Sequence, residues 1–274
     1  MKIFNDILGR YVEIETPVNR IISMSSGLTE ALFMMGLGDL VVGADAFSNK
    51  PPEARNVKKV GSYMHININL IRELRPNIVF TITGVQRGII DTLVREGFPV
   101  YPLPMPTDVA GIISNISLLG YATNHITEAR KLVARLHKAV GGYLGGDAIE
   151  RPRLLVALDF GPRGGLWSPG AASHISDAIH IVGGVSVSGY EPVSYIETSK
   201  IVEKVERIDL VIYENSSYIT SEKPIGYEAL QEMLGKKGVD FKKLVVFNEE
   251  RLAHTGPSFI LESMDILKKL VSEL

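Results

Sequence analysis

Residues 127–146 read "TEARKLVARLHKAVGGYLGG", and this stretch decides the architecture. Its apolar residues, Ala129, Leu132, Val133, Leu136, Val140, Tyr143 and Leu144, follow the i, i+3, i+4, i+7 spacing of one helix face. Thr127 is a good N-cap, and Glu128 puts a negative charge in the first turn. About 20 residues at 1.5 Å each make a rod on the order of 30 Å long. Such a rod spans from one folded body to another and predicts a stiff junction with modest hinge motion. Gly141, Gly142, Gly145 and Gly146 each cost about 1 kcal/mol relative to Ala, so the far end is expected to fray or bend.

The flanks of this helix repeat one another. Upstream, "NRIISMSSGLTEALFMMGLGDLVVG" reads as a buried strand over 20–24, a polar corner, an amphipathic helix and a return toward the sheet. Thr29 and Glu30 sit where that helix begins, and Gly36 ends it. Downstream, "RPRLLVALDFGPRGGLWSPGAASHISDAIHIVGGVSV" has the same order, with a Gly-rich corner and a helix ending in Gly-Gly. Each unit continues into an aromatic turn, "GSYMHIN" or "SGYEPVSY", then a helical stretch and a strand, "RPNIVFTI" or "RIDLVIYE". Arg20 to Asn77 is 77 − 20 = 57 residues, and Arg153 to Asp209 is 209 − 153 = 56.

The strand candidates are short, rich in Val, Ile and Leu, and alternate with helical patterns, which argues for mostly parallel sheets covered by helices. "FPVYPLPMP" (98–106) and "KKLVVFNEE" (242–250) are matching late strands. The last helix starts behind Pro257 and aligns Phe259, Ile260, Met264, Leu267 and Leu270. The expected fold is therefore α/β: two Rossmann-like lobes with mostly parallel sheets, joined by a single long linking helix. The expected boundaries are 1–125 for the N-terminal lobe, 126–148 for the linking helix and 149–274 for the C-terminal lobe.

Composition narrows the function. With 274 residues, 45% apolar, the chain has ample material for packed cores. A net charge of −2 gives no electrostatic case for nucleic acid. Cysteine is absent, which removes disulfides, thiolate catalysis and Cys-based metal sites. The opening "MKIFNDILGRYVEIETPVNR" lacks the apolar run of a secretory signal, and no apolar stretch reaches the roughly 18 residues of a membrane span, so a soluble molecule is expected. Catalytic signatures are missing: no nucleophile elbow, no HExxH, no P-loop, and "GLGDLVVG" does not complete a GxGxxG.

At this point "GRYVEIETPVNRIISMSSGLTEALFMMGLGDLVVGAD", "PPEARNVKKVGSYMHININLIRELRPNIVF" and "LVREGFPVYPL" carry a resemblance. Over nearly its whole length the chain resembles an ABC-importer substrate-binding protein of the helical-backbone class, which includes cobalamin-, iron-siderophore- and haem-binding members. The resemblance implies two Rossmann-like lobes, one rigid linking helix, and a metal chelate held in the cleft between lobes without chemical change. It implies no catalytic residue and no resident cofactor, with a monomer as the usual state, while six histidines with no paired metal-ligand spacing argue against a protein-built metal site. It also places Tyr63 and Tyr190 against the ligand, one per lobe. Trp167, the only tryptophan, joins them at the mouth of a third loop. Flat aromatics suit a corrin, porphyrin or siderophore because they offer rigid contact area at low entropic cost.

The polar candidates are less specific. Ser25 and Ser26, at a helix N-terminus, either favour an anionic group or only cap the helix. Arg87 in "TGVQRG" and Arg163 in "FGPRGG" suit carboxylates or phosphates, although a lone loop Arg is commonly solvated. His65 and His254 are candidate ligands of a chelated metal, while Met64 reads as packing. Tyr218, after "LVIYEN", is a further candidate.

One departure concerns the membrane partner. Relatives resemble "N-L-E" where this chain has Asn67-Ile68-Asn69, and "S-x-E" where it has Ser199-Lys200-Ile201. The two glutamates that dock on the permease are thus absent at Asn69 and Ile201, with Glu73, Glu197 and Glu203 nearby as substitutes. Gly256–Ser258 replaces a Pro-Arg pair found in relatives. Two alternatives follow: an intracellular chelate carrier that docks on no permease, or a molybdate or tungstate oxyanion-binding protein in which Arg87, Arg163, His254 and Tyr63 converge. An extracytoplasmic location is expected if a signal was removed, and a cytoplasmic one otherwise.

Overall fold

The computed structural model describes residues 1–62, 64–144, 150–160, 164–215 and 225–274. They divide into two compact units. The first comprises Met1–Pro106, Ala110–Lys138 and Thr255–Pro257; the second comprises Thr107–Val109, Ala139–His254 and Ser258–Leu274.

The first unit opens with an antiparallel hairpin, β1 (Lys2–Asn5) and β2 (Arg10–Glu13). Asn5 fastens it by donating from Nδ2 to the Pro102 carbonyl at 2.8 Å. The chain then alternates strand and helix: β3 (Ile21–Ser23), α1 (Ser26–Met34), β4 (Val41–Asp45), β5 (Lys59–Gly61), α2 (Ile68–Leu74), β6 (Ile78–Ile82), α3 (Arg87–Arg95) and β7 (Val100–Leu103). The five strands from β3 to β7 form a wholly parallel sheet in the order β5-β4-β3-β6-β7. Every residue of β6 and β7 is buried, as a sheet covered on both faces requires. Ile22, Met24, Val60, Ile71, Val79, Ile89, Leu93 and Val100 make the core between this sheet and α2 and α3. The order reverses direction between β3 and β6, the switch point of a doubly wound sheet. The first helix starts at Ser26, a turn before Thr29 and Glu30, with Ser25 at the N-cap and Gly36 (φ 79) just past the end.

Helix α4 (Val109–Thr123) turns through Asn124 (φ 61) into α5 (Ile126–Tyr143), the 18-residue helix that carries the chain from the first unit into the second. Ala129, Leu132 and Leu136 are its buried stripe. A Cβ on Gly120 would fall 2.4 Å from the Cβ of Ala129, so the close approach of α4 to α5 depends on that glycine. The helix runs on through Gly141 and Gly142 and ends at Tyr143. The alternation of local signals is thus realised as an α/β fold with a long connecting helix.

The second unit contains β8 (Arg153–Asp159), β9 (Leu166–Pro169), α6 (His174–Ile181), β10 (Val185–Ser186), β11 (Tyr195–Glu197), α7 (Thr198–Val202), β12 (Arg207–Asn215), α8 (Ile225–Lys237), β13 (Asp240–Phe247) and α9 (Met264–Ser272), the last preceded by a π turn over Phe259–Ser263. Strands β8, β12 and β13 are parallel neighbours, and β10 pairs parallel with the first half of β8. The second half of β8 pairs with β9 instead, antiparallel, and β11 pairs antiparallel with β9. Trp167, expected at the mouth of a loop, lies within β9. Where the two strands meet, the Phe160 N–H donates to the Gly165 carbonyl at 3.1 Å, and Gly165 has φ +72. Leu155, Ala157, Val211, Tyr213, Leu230 and Leu234 are central to this unit's core.

Candidate functional site

In an open parallel sheet ligands meet the loops beyond the carboxyl ends of the strands. In the first unit these loops are built on a buried polar net. Thr29 Oγ1 lies within hydrogen-bond distance of Ser23 Oγ (2.9 Å), the Ser25 carbonyl (3.0 Å) and Ser48 Oγ (2.8 Å). Asp45 accepts from the Phe47 N–H at 2.8 Å and from Ser48 Oγ at 2.5 Å. Lys59 donates from Nζ to the Ser48 carbonyl at 2.6 Å; burial lowers its pKa, while Asp45 works the other way. At the switch point Gln86, fully buried, accepts from the Ile82 N–H at 2.9 Å and donates to the Met24 carbonyl at 2.5 Å. It ties the end of β6 to the end of β3, where a Rossmann fold would admit a phosphate.

Above that net two short loops stand in solvent. In the turn after β5, the Ser62 N–H donates to the His65 carbonyl at 2.7 Å, and Gly61 bridges Ile66. A Cβ on Gly61 would land 2.2 Å from the His65 carbonyl oxygen, so the turn closes only on glycine. His65 and Met64 are both exposed there, which corrects the reading of Met64 as packing. After β6, Arg87 is exposed at the start of α3 and has no ion-pair partner among the described residues. Ser25 and Ser26 are buried, and Ser25 makes no side-chain cap; its backbone carbonyl serves the Thr29 net.

In the second unit the loops at the carboxyl end carry the exposed aromatics. Tyr190, in the loop after β10, is 78% exposed. Trp167 is half-buried in β9, where Nε1 donates to the Gly164 carbonyl at 2.6 Å. Phe160, also exposed, meets Tyr195 edge to face with centroids 6.5 Å apart. Beneath them Asp159 accepts the Tyr213 hydroxyl at 2.5 Å, and burial together with that carboxylate pushes the Tyr213 pKa up. A Cβ on Gly226 would meet Asp159 Oδ2 at 2.3 Å, so the first turn of α8 sits directly on the carboxylate.

His254 is buried in this unit, next to a loop that Glu214 holds with its carboxylate. Glu214, at 0% exposure, accepts from the N–H groups of Arg251 (3.1 Å), Leu252 (2.5 Å) and Ala253 (2.9 Å). His174 Nε2 lies 2.9 Å from the Leu252 carbonyl. Burial, with a smaller push from His254, lowers the His174 pKa to about 4 against the opposing pull of that carbonyl. Arg87 and His254 therefore belong to different units, one exposed and the other buried. Tyr63, Arg163 and Tyr218 lie outside the described residues.

No group of three His, Asp or Glu side chains that would hold a metal ion occurs among the described residues, and no described helix is long and apolar enough to cross a membrane. Of the two positions expected from the resemblance to face a permease, Asn69 is exposed on α2, whereas Ile201 is 2% exposed and part of the second unit's core.

An α/β chain of two units, the first on a wholly parallel sheet and the second on a mixed one, each with loops beyond the carboxyl ends of its parallel strands, has the architecture of a two-lobed binding protein. Residues 21–209 match the periplasmic binding protein family, and the chain belongs to it. That is a family of substrate-binding transport proteins, not an enzyme class. A vitamin B12-binding protein of Photorhabdus laumondii is 24% identical over 254 residues, which are 92% of this chain and 87% of the relative. A vitamin B12-binding protein of Yersinia pestis is 27% identical over 183 residues; these are 66% of this chain and span slightly under two thirds (64%) of the relative. Among solved structures, the periplasmic heme-binding protein RhuT from Roseiflexus sp. RS-1 superposes with a TM-score of 0.73 at 18% identity, over 93% of this chain and 97% of that one.

Proposed function

We propose that this chain is the substrate-binding protein of an ABC importer and that its cargo is a metal chelate: a corrinoid such as cobalamin, haem, or a ferric siderophore. The observation that carries the reading is family membership, in which the relative matched along 92% of this chain is named a vitamin B12-binding protein. Tyr63, Trp167 and Tyr190 supply flat contacts, and Arg87 and Arg163 meet acidic groups on the ligand. His65 and Tyr218 are further contacts of the same ligand. Ser25, Ser26 and His254 act from beneath by fixing those loops, in keeping with their burial.

The protein works outside the cytoplasmic membrane, as a monomer that delivers to a permease. Its docking carboxylates are Glu73, Glu197 and Glu203, all exposed, close in sequence to Asn69 and Ile201. The oxyanion reading draws no support from relatives named for vitamin B12 and heme, and it would need Arg87 and His254 in one small site.

The test is titration of the purified protein with cyanocobalamin, haemin, a ferric siderophore and molybdate, following the single tryptophan, Trp167. Saturable quenching by a chelate supports the reading. Tight molybdate binding with no response to any chelate overturns it.

A further inference from the structure

We propose that Met64 and Val85 are ligand contacts and that they set the ligand class within the proposed chelate site: a macrocycle with a hydrocarbon face, such as a corrin or porphyrin, in preference to an oxygen-coated ferric siderophore. The inference rests on the chelate-binding reading and deepens it. Met64 is 70% exposed and Val85 63% exposed, both in loops beyond the carboxyl ends of strands of the first sheet.

Neither residue is exposed through slackness. The turn bearing Met64 is closed by the Ser62 N–H to His65 carbonyl bond, by the Gly61–Ile66 bridge, and by the Ala46 N–H donating to the Gly61 carbonyl at 2.7 Å. Val85 stands between Gly84, whose φ of +85 suits glycine, and Gln86, whose buried amide is bonded at both ends. The Arg87 N–H closes that loop on the Gly84 carbonyl at 3.1 Å. Two apolar side chains are thus presented to water on anchored backbones, the arrangement expected of contacts organised before binding. Neither has a strong hydrogen-bonding group, so what they reward is apolar ligand surface removed from water. Arg87 and His65, exposed on the same two loops, are left for polar groups at the ligand's edge.

The experiment measures affinities of wild-type protein, Met64→Ser, Val85→Ser, the double variant and Met64→Leu for cyanocobalamin, haemin and a ferric trihydroxamate. The macrocycle bound by wild type should lose about tenfold in each serine variant and more in the double, as burial of one apolar side chain implies. Met64→Leu should bind as wild type does, because the thioether acts as hydrocarbon. Equal affinity in wild type and the double variant, or a wild type that prefers the trihydroxamate, overturns the inference while the chelate-binding reading stands. A wild type that binds none of the three sinks both. A Met64→Leu loss as large as that of serine overturns the hydrocarbon role and points to sulfur ligation.

Discussion

The backbone N–H of Arg153 donates to Asp209 Oδ2 at 2.9 Å across 56 residues of chain. The first unit repeats the bond, with the Arg20 N–H donating to Asn77 Oδ1 at 2.9 Å across 57 residues. The arginine side chains repeat it too: Arg20 Nε donates to the Leu74 carbonyl (2.7 Å) and Arg153 Nε to the Arg207 carbonyl (3.1 Å). In both units a side chain at the start of one central strand satisfies a backbone donor at the start of its neighbour, below the sheet where the ladder has run out.

This latch gives a pH prediction. Asp209 is 3% exposed; burial opposes its charge, but the Arg153 N–H, Lys242 and Arg207 outweigh burial and lower its pKa from 3.8 to about 2. A carboxyl depressed in the folded state contributes stability above its unfolded pKa and loses it as pH falls through the folded value. The window is therefore roughly pH 4 down to 2, and the loss is about 2 kcal/mol. Asp209→Asn, which copies Asn77, keeps an acceptor for Arg153 and should cost about 1 kcal/mol near neutral pH, since both cationic partners are exposed. It should also flatten that acid window. Asp209→Ala leaves the donor unpaired and should cost about 2–3 kcal/mol. Urea unfolding from pH 7 to 2 measures all three.

His174 works in a separate window. Its folded pKa of about 4 lies below the ordinary 6.5, so the unfolded chain binds the proton more readily. Stability is then full above pH 6.5 and falls as pH drops toward 4, by as much as about 3 kcal/mol. His174→Gln retains a donor for the Leu252 carbonyl and cannot titrate. A pH 7 to 4 urea series should be flatter for the variant than for wild type; parallel curves would place the acid sensitivity elsewhere.

The paired offsets, 57 and 56, were legible because Asn77 and Asp209 do the same job for Arg20 and Arg153, so their spacing is held by geometry. Helix α5 was legible because its stripe of Ala129, Leu132 and Leu136 follows one period. Gln86 was not: "TGVQRG" reads as a solvated loop, and its burial depends on Met24, 62 residues away. The antiparallel run of β9 was hidden because "LWSP" is too short to show alternation and the glycines before it give no direction. The burial of His254 reflects a loop gathered by Glu214, which lies 37 to 39 residues from its three donors. In the candidate loops of the first unit, exposure of Met64 and Val85 is a property of the closed turns and not of their residue types.

Glu214 should be the most sensitive polar position of the second unit. Removing its carboxylate leaves the N–H groups of Arg251, Leu252 and Ala253 without that acceptor in a buried setting, and each lost partner costs about 1–3 kcal/mol. Glu214→Ala should lower stability by at least about 3 kcal/mol, and Glu214→Gln by less. Chemical denaturation decides it; a Glu214→Ala loss under 1 kcal/mol would mean the loop holds itself.

Gly27→Ala tests a steric contact in the first unit. A Cβ there would lie 2.6 Å from the Thr255 carbonyl carbon and 2.8 Å from the Gly256 nitrogen, both backbone atoms. Because backbone yields less easily than a flexible side chain, the added methyl should cost about 1–3 kcal/mol even though Ala is the better helix former. Thermal melting reads the sign directly: a stabilised variant would show that Thr255–Pro257 moves aside freely.

Tyr190 separates binding from folding. At 78% exposure its ring contributes little to the second unit's core, so Tyr190→Ala should leave the melting temperature within a degree or two of wild type, about 0.5 kcal/mol. Stacking against a flat ligand is worth on the order of 1–3 kcal/mol, so the same variant should weaken chelate binding by about 5- to 150-fold. Tyr190→Phe keeps the ring and should bind nearly as wild type does; if it fails as badly as alanine, the hydroxyl and not the face is what the ligand needs. Trp167→Ala makes the complementary measurement, because Trp167 is anchored to the Gly164 carbonyl and its loss should cost stability as well as affinity. Unchanged affinity in both Tyr190→Ala and Trp167→Ala, read by calorimetry with cyanocobalamin and haemin, would remove these two aromatics from the binding surface.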